Sequence, residues 1–424
     1  MEQDRTSCRK ILLLIGCILY FLANFQRVGI PGTVFDDLQH ATGLSALGVT
    51  LFGALFMYPY SIMQLVVGML IEKFGGRRSV AYGAMLFAFG CLLFPLTTWT
   101  PCMYAARFLS GVGASTIYLS IINEGRTLFP QKVAQVSGLI IMIGYLGGVV
   151  AGSPFSSLSG AFGVRNVLLA AGVATVILAA LQFTVYTRSD VEPVRAGRIG
   201  FGCYREVVRL PLNWYLIGSY AMSFGIFYSL VTVMGKKFLQ DVGGFQSVNA
   251  AYVFSGVVFM SAVGSMIQGW CGSHFGKKRR IFFLLSTLFA LLTEIVSLLT
   301  AGNIAPFWLP AVFFVLLAYF NSVGAVAVAL MMEGNPQGKG ALAIGFSNFM
   351  AYVIVAIFGN ASGMILDCFT PVENAQGSLV YPPCAYSVIF GILICFTLIG
   401  VYCAFKLPKD QKSVHRPEAG TPAS

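Results

Sequence analysis

The sequence predicts an all-α membrane protein of twelve transmembrane helices, arranged as two pseudo-symmetric bundles of six. Three observations predict it. Of the 424 residues, 57% are hydrophobic and only 10% charged, where a soluble domain carries about a quarter charged residues. Twelve apolar runs have the roughly twenty residues that a helix needs to cross the hydrocarbon core. The stretch from Thr187 to Pro211 divides these runs six and six, and a segment after the second run is echoed after the eighth.

The runs cover residues 11 to 34, 45 to 70, 79 to 97, 101 to 123, 133 to 156, 163 to 186, 213 to 235, 249 to 271, 281 to 300, 306 to 332, 340 to 365 and 384 to 406. The first follows Arg9 and Lys10 as a signal peptide would, but it is too long and has no small-residue cleavage site, so it reads as a membrane helix. With the N-terminus inside, the interior loops and tails hold 22 of the 27 Lys and Arg. These are Arg5, Arg9, Lys10, Lys73, Arg77, Arg78, Arg126, Lys132, five between 188 and 209, Lys277 to Arg280, Lys339, Lys406, Lys409, Lys412 and Arg416. The outer loops hold only Lys236 and Lys237. That asymmetry places both termini in the cytoplasm of a cell with this chain in its plasma or inner membrane. The expected organisation is an N-terminal bundle over 1–187, a cytoplasmic linker over 188–212, a C-terminal bundle over 213–408 and a cytoplasmic tail over 409–424.

Several function classes are excluded. The net charge of +11 is spread over short loops, so it is no nucleic-acid-binding face. Ten cysteines stand mostly singly in apolar runs, with no CxxC pair and only His40, His274 and His415 to join them, so no metal site is indicated. Cys368 and Cys384 flank one polar loop and could bridge outside the cell, although single cysteines more often serve as small hydrophobes. The glycine-rich stretch Gly334 to Gly340 has the wrong spacing for a phosphate-binding loop and reads as an interior turn. Asn360-Ala-Ser362 fits a glycosylation site but lies in an apolar run. No cofactor and no enzymatic residue set is expected.

The loop after the second run reads Gly68-Met-Leu-Ile-Glu72-Lys73-Phe-Gly75-Gly-Arg77-Arg78, and its echo Gly269-Trp-Cys-Gly-Ser273-His274-Phe-Gly276-Lys277-Lys278-Arg279-Arg280. The first resembles the interior-loop signature of the major facilitator superfamily, G-x-L-x-D-R-x-G-R-R. Arg107-Phe-Leu-Ser-Gly111-Val-Gly113 resembles that family's R-x-x-x-G-x-G motif, and the run Gly144 to Pro154 its glycine-rich fifth helix. The resemblance implies alternating access, in which a cytoplasmic latch is made and broken. Gly68 and Gly75 would allow close packing and a tight turn, and Glu72 would pair with Arg77 or Arg78 in one cluster with the charges Glu124 and Arg126 at the end of the fourth helix. Alternatively, Lys73, Arg77 and Arg78 only anchor the topology. Glu72 stands where the family has Asp, and Ser273 replaces the acid of the second copy. That replacement implies a second-half gate relying less on ion pairing.

An ionisable side chain inside the bilayer costs at least ~2 kcal/mol and is a functional candidate by default. Arg27, Arg107 and Glu294 qualify. The stretch Tyr20-Phe-Leu-Ala-Asn24-Phe-Gln26-Arg27, with Tyr60 to Gln64 ahead of Gly68, is similar to facilitators of organic anions such as anion:cation symporters and organophosphate antiporters. There an arginine at this place in the first helix contacts the anion, which a guanidinium can hold by two parallel hydrogen bonds. The alternative has Arg27 snorkelling beside Asp36 and Asp37. The seventh run offers no second arginine, so a carboxylate is expected rather than a phosphate ester. Candidate companions are Tyr60 (or its neighbour Tyr58), Gln64, Tyr145, Tyr228, Asn321 and Asn348. Arg107 matches the arginine that the family links with proton coupling or with tying helices together. Glu294 is either a structural carboxyl or a proton-exchanging one. The expected function is secondary transport, by a monomer, of a small anionic solute with a co- or counter-transported ion. The alternatives are a carrier of a neutral or cationic compound and a membrane receptor that binds without transporting.

Overall fold

A lipid interior offers no hydrogen-bond partners, so apolar runs of this length must close their backbone bonds within helices. The structure, a computed structural model, describes residues 2–44, 46–188, 200–230, 234–275, 278–373 and 379–408. The expected tail 409–424, residues 189–199 of the expected linker, and Lys277 lie outside the described residues. The chain divides into two units, Met1–Arg205 with Ala341–Phe349, and Glu206–Gly340 with Met350–Ser424.

The first unit contains α1 (Glu2–Gly29), α2 (Phe35–Thr42), α3 (Ala46–Phe74), α4 (Gly76–Leu96), α5 (Thr100–Leu128), α6 (Val133–Val150), α7 (Ser153–Phe162) and α8 (Val164–Arg188). Between lipid-like surfaces the hydrophobic effect is weak, so helices associate through close packing at small residues. A side chain at Gly113 of α5 would collide with the backbone of Phe87 in α4, and one at Gly147 of α6 with the carbonyl of Phe21 in α1. The glycines thus set how near the helix axes come. A cluster of Phe25, Phe52, Phe94, Met103 and Phe155 fills the space between α1, α3, α4, α5 and α7.

The second unit contains α9 (Arg205–Arg209), α10 (Pro211–Leu216), α11 (Met222–Ser229), α12 (Gly235–Asp241), α13 (Ser247–His274), α14 (Arg280–Ala301), α15 (Leu309–Phe320), α16 (Gly324–Gly334), α17 (Gly340–Asp367, whose residues 341–349 cluster with the first unit) and α18 (Pro383–Lys406). Between α17 and α18 a two-stranded antiparallel hairpin pairs β1 (Val372–Glu373) with β2 (Leu379–Val380). Asp241 pins the end of α12 to this corner. Its carboxylate accepts the Tyr386 hydroxyl at 2.8 Å and the Tyr381 amide at 3.0 Å, and pairs with Lys237 at 2.5 Å. Phe238 packs beside it on Tyr386 and Phe390.

Among the described residues, eleven helices are long and apolar enough to cross a membrane. The seventh expected run, 213–235, is not among them because it includes residues outside the description. Residues 213–235 form α10, a π-helical turn over Ile217–Ala221, and α11, and the chain resumes at α12 beyond residues outside the description. A π turn widens the backbone by one residue per turn and breaks helical register. It falls where Gly218 meets Cys403 of α18 too closely for any side chain. The tenth span is also divided, into α15 and α16 around Asn321–Val323. The loop after α1 carries the short helix α2, which hydropathy did not anticipate. Cys368 and Cys384 are both free and exposed.

Replacing Gly147 by valine places branched carbon atoms against the Phe21 carbonyl and should separate α1 from α6. Folded yield on size-exclusion chromatography in detergent is expected to fall sharply, while Gly160→Val, at a position open to space, leaves it near wild type.

Candidate functional site

α1 continues from Glu2 to Gly29, so Arg27 stands in its last turn. The guanidinium does not simply extend outward. Arg27 Nη2 donates to Asn24 Oδ1 at 2.6 Å, and Asn24 Nδ2 donates to the Tyr20 carbonyl at 2.9 Å. Asn24 is buried, backed by Gly144 of α6, where a side chain would collide with Tyr20 and Asn24. Asp37 is exposed, and the side chain of Asp36 lies outside the described residues. Arg27 is therefore half-buried and held back toward the preceding turn by a residue of its own motif.

Arg107 of α5 is 1% exposed. Its Nε donates to the Phe52 carbonyl of α3 at 3.0 Å, and its Nη2 to the Ile30 and Gln26 carbonyls at 3.0 and 3.3 Å. The rings of Phe56 and Phe94 lie 4.7 and 5.9 Å from its guanidinium carbon. The last carbonyls of any helix lack intrahelical partners, and a cation there also suits the helix dipole. Arg107 thus caps the end of α1 and ties it to α3.

The other expected substrate residues divide between the units. In the first, Asn348 donates to Gln64 Oε1 at 3.3 Å. Tyr60 is buried on Phe56, whereas its neighbour Tyr58 is 65% exposed, and Tyr145 is half-buried on α6. In the second, Tyr228 stacks on Phe224 with ring centres 5.1 Å apart, and Phe224 meets Tyr352 edge-on. Asn321 closes α15, and its Oδ1 accepts the Ser286 hydroxyl of α14 at 3.2 Å. Glu294 is fully buried. Its Oε1 accepts the Thr397 hydroxyl of α18 at 2.6 Å, and Oε2 has no hydrogen-bond partner among the described residues.

The expected latch residues gather around Glu124, which is buried near the end of α5. Arg77 lies 3.8 Å from it, and Arg9 of α1 donates to it at 2.6 Å. Arg9 was not among the residues that the motif suggested. Arg78 donates to the Tyr186 hydroxyl of α8 at 2.9 Å. Gly75 has φ +87°, a left-handed conformation that turns α3 into α4 and favours glycine. Gly68 packs against the Leu342 backbone and the Tyr204 ring hydroxyl, which itself donates to the Leu65 carbonyl at 2.6 Å. Burial, with added effects of Cys203 and Glu72, pushes the Tyr204 hydroxyl well up from its ordinary pKa. Glu72 and Arg126 are half-buried.

In the second copy, where Ser273 replaces the acid, Arg279 of the echoed loop holds Glu333 of α16 through two bonds of 2.5 and 3.1 Å. The acid comes from the end of the tenth span, as Glu124 comes from the end of the fourth.

Residues 16–360 match the Major Facilitator Superfamily. The chain belongs to this superfamily. Its family and its structural neighbours are transporters rather than enzymes. Relatives include the probable galactarate/D-glucarate transporter GudP of Bacillus subtilis, 23% identical over 87% of this chain and 85% of that one. The human choline/ethanolamine transporter FLVCR2 is 24% identical over 84% and 72%. A shorter match, 34% identical but covering only 25% of this chain and 28% of the relative, is to the probable nitrate/nitrite antiporter NarK1 of Thermus thermophilus. The major facilitator transporter FucP, solved in an outward conformation, superposes with a TM-score of 0.72 at 14% identity over 95% of this chain and 99% of that one, a likeness of fold.

Arg107→Met removes three backbone bonds at once and leaves buried carbonyls unsatisfied, at a cost of about 1–3 kcal/mol each. The melting temperature in detergent should fall strongly. Arg107→Lys, which keeps charge and three donors, is expected to recover part of the loss.

Proposed function

We propose that this protein is a secondary carrier of a small organic anion, a carboxylate, working by alternating access on an ion or solute gradient. The observation that carries the reading is Arg27. It is a permanently charged, half-buried guanidinium at the end of a membrane helix, oriented by Asn24. Such a cation suits a carboxylate, which it can bind through paired hydrogen bonds. Gln64, Asn348, Tyr60 and Tyr145 of the same unit supply neutral donors and acceptors. Relatives named for galactarate/D-glucarate and for nitrate/nitrite handle anions and support the same reading. Both termini face the cytoplasm on this reading, because the basic loops lie on that side, and the protein acts as a monomer.

The Glu124 cluster with Arg9 and Arg77, flanked by Gly68, Glu72, Gly75, Arg78 and Arg126, serves as the cytoplasmic latch of the first half, and Arg279 with Glu333 as that of the second. Of the two coupling candidates, Arg107 acts as a helix tie, since its bonds go to backbone carbonyls. Glu294 is the group at which a coupled proton binds.

A second reading has a specific observation behind it. FLVCR2, named for choline and ethanolamine, aligns over most of the chain, and Tyr220, Phe224, Tyr228 and Tyr352 form an aromatic ladder of the kind that holds quaternary ammonium groups. On this reading the solute is a cation, Tyr228 contacts it together with Asn321, and Arg27 is peripheral.

Uptake of labelled dicarboxylates and of choline into proteoliposomes, under imposed proton and sodium gradients, separates the readings. Carboxylate uptake that Arg27→Ala reduces at least tenfold, while Tyr228→Ala leaves it largely intact, is expected. Choline uptake lost in Tyr228→Ala and kept in Arg27→Ala would establish the cation reading instead.

Glu294→Gln keeps the hydrogen bond from Thr397 and removes proton exchange. Gradient-driven accumulation should be lost while solute counterflow persists; undiminished accumulation would remove Glu294 from coupling.

A further inference from the structure

Beside the Glu124 cluster the first unit holds a small, partly open cavity of about 10 Å³, lined by Leu12, Arg77, Ser120, Glu124 and Gln182 among others. Gln182 of α8 is 0% exposed and Ser120 of α5 1%. Neither the Gln182 amide nitrogen, nor its oxygen, nor the Ser120 hydroxyl has a hydrogen-bond partner among the described residues. Burying such groups without partners is costly, and natural proteins rarely leave them so. The other lining residues, Leu12, Leu13, Val80 and Ile121, are apolar, so no further side chain lining the cavity offers itself to Gln182 or Ser120 except those of the ion cluster.

We propose that the cavity holds one ordered water, shared by Gln182, Ser120 and Glu124. The volume is that of a single water, which needs two to four polar partners, and three are present. The charges decide against an ion. Arg77 lines the cavity and Arg9 bonds to Glu124, so a cation is repelled; the Glu124 carboxylate repels an anion. A neutral molecule that both donates and accepts is what remains. It donates to Glu124, exchanges hydrogen bonds with Ser120, and meets the Gln182 amide, bridging α5 to α8. Since a water can remake its bonds without a side-chain rotamer change, Gln182 keeps a partner even when Glu124 shifts toward or away from Arg77.

Two measurements on the full chain test this. In a cryo-electron microscopy map of the wild type in lipid nanodiscs, at a resolution that displays ordered waters, a rounded density within hydrogen-bonding reach of Gln182 and Ser120 is expected. An empty cavity, or a Gln182 amide bonded directly to Glu124, overturns the proposal. The sign of the thermal shift is the second readout. If a water satisfies these groups, Gln182→Met and Ser120→Ala each lower the melting temperature by ~2–4 °C, and their effects are non-additive because they share one partner. If the cavity is dry, each substitution removes an unsatisfied buried group and raises the melting temperature, additively.

Discussion

A guanidinium sealed inside apolar surroundings has to find hydrogen-bond acceptors for its donors, and Arg107 finds them on the backbone. Two of its three bonds go to Gln26 and Ile30, the carbonyls that bracket Arg27. The third goes to Phe52 in α3. One buried residue thereby fixes where the last turn of α1 ends and how it lies against α3, and the orientation of Arg27 follows from that turn. A candidate binding group carried on a capped, tied helix end is held more closely than one on a free loop. The same requirement, that charges inside a membrane protein find internal partners, explains why Glu294 sits opposite a threonine and why Glu124 collects arginines.

The two ion-pair clusters show that charge placement, rather than the letters of a motif, is what the fold repeats. Arg77 follows the second span and meets an acid at the end of the fourth; Arg279 follows the eighth and meets an acid at the end of the tenth. The acid inside the loop is Glu72 in one copy and is replaced by Ser273 in the other, yet the pairing across helices is kept. A partly buried ion pair returns little net stability once desolvation is counted. Its retention in both units therefore argues for a role in switching between states more than in holding one.

Hydropathy made the spans legible because length and apolarity are properties of a single segment. The motif glycines and arginines were legible for the same reason, being adjacent along the chain. The partners were not. Arg9 is 115 residues from Glu124, Asn348 is 284 from Gln64, and nothing in either local pattern announces the pairing. Asn24 stood in a motif already singled out, and its distance of three residues from Arg27 is the one signal that could have named it, since residues so spaced share a helix face. The π turn in the seventh span was invisible because no proline marks it, only Gly218 and Ser219; it falls where Gly218 approaches α18, a tertiary event. Nothing in the local sequence marks Glu333 or Gln182; the ion pair with Arg279 sets the first apart and its burial the second.

The preference for an anion over a cation rests on what each feature would need if it had no function. An aromatic ladder such as Tyr220, Phe224 and Tyr228 recurs every four residues on one helix face, and apolar packing alone accounts for it. A cation–π site is an added use of residues that the fold already supports. Arg27 has no such account. Arg107 already caps the end of α1, so Arg27 is not required for that task, and an arginine at the edge of an apolar span costs solvation wherever it is not extended into water. Its hydrogen bond to Asn24 turns it back along the helix, against the direction that snorkelling would take. A charge held in a specific direction by a buried residue is the preorganisation that a carboxylate-binding guanidinium would need, and on that ground the proposed anion reading is preferred.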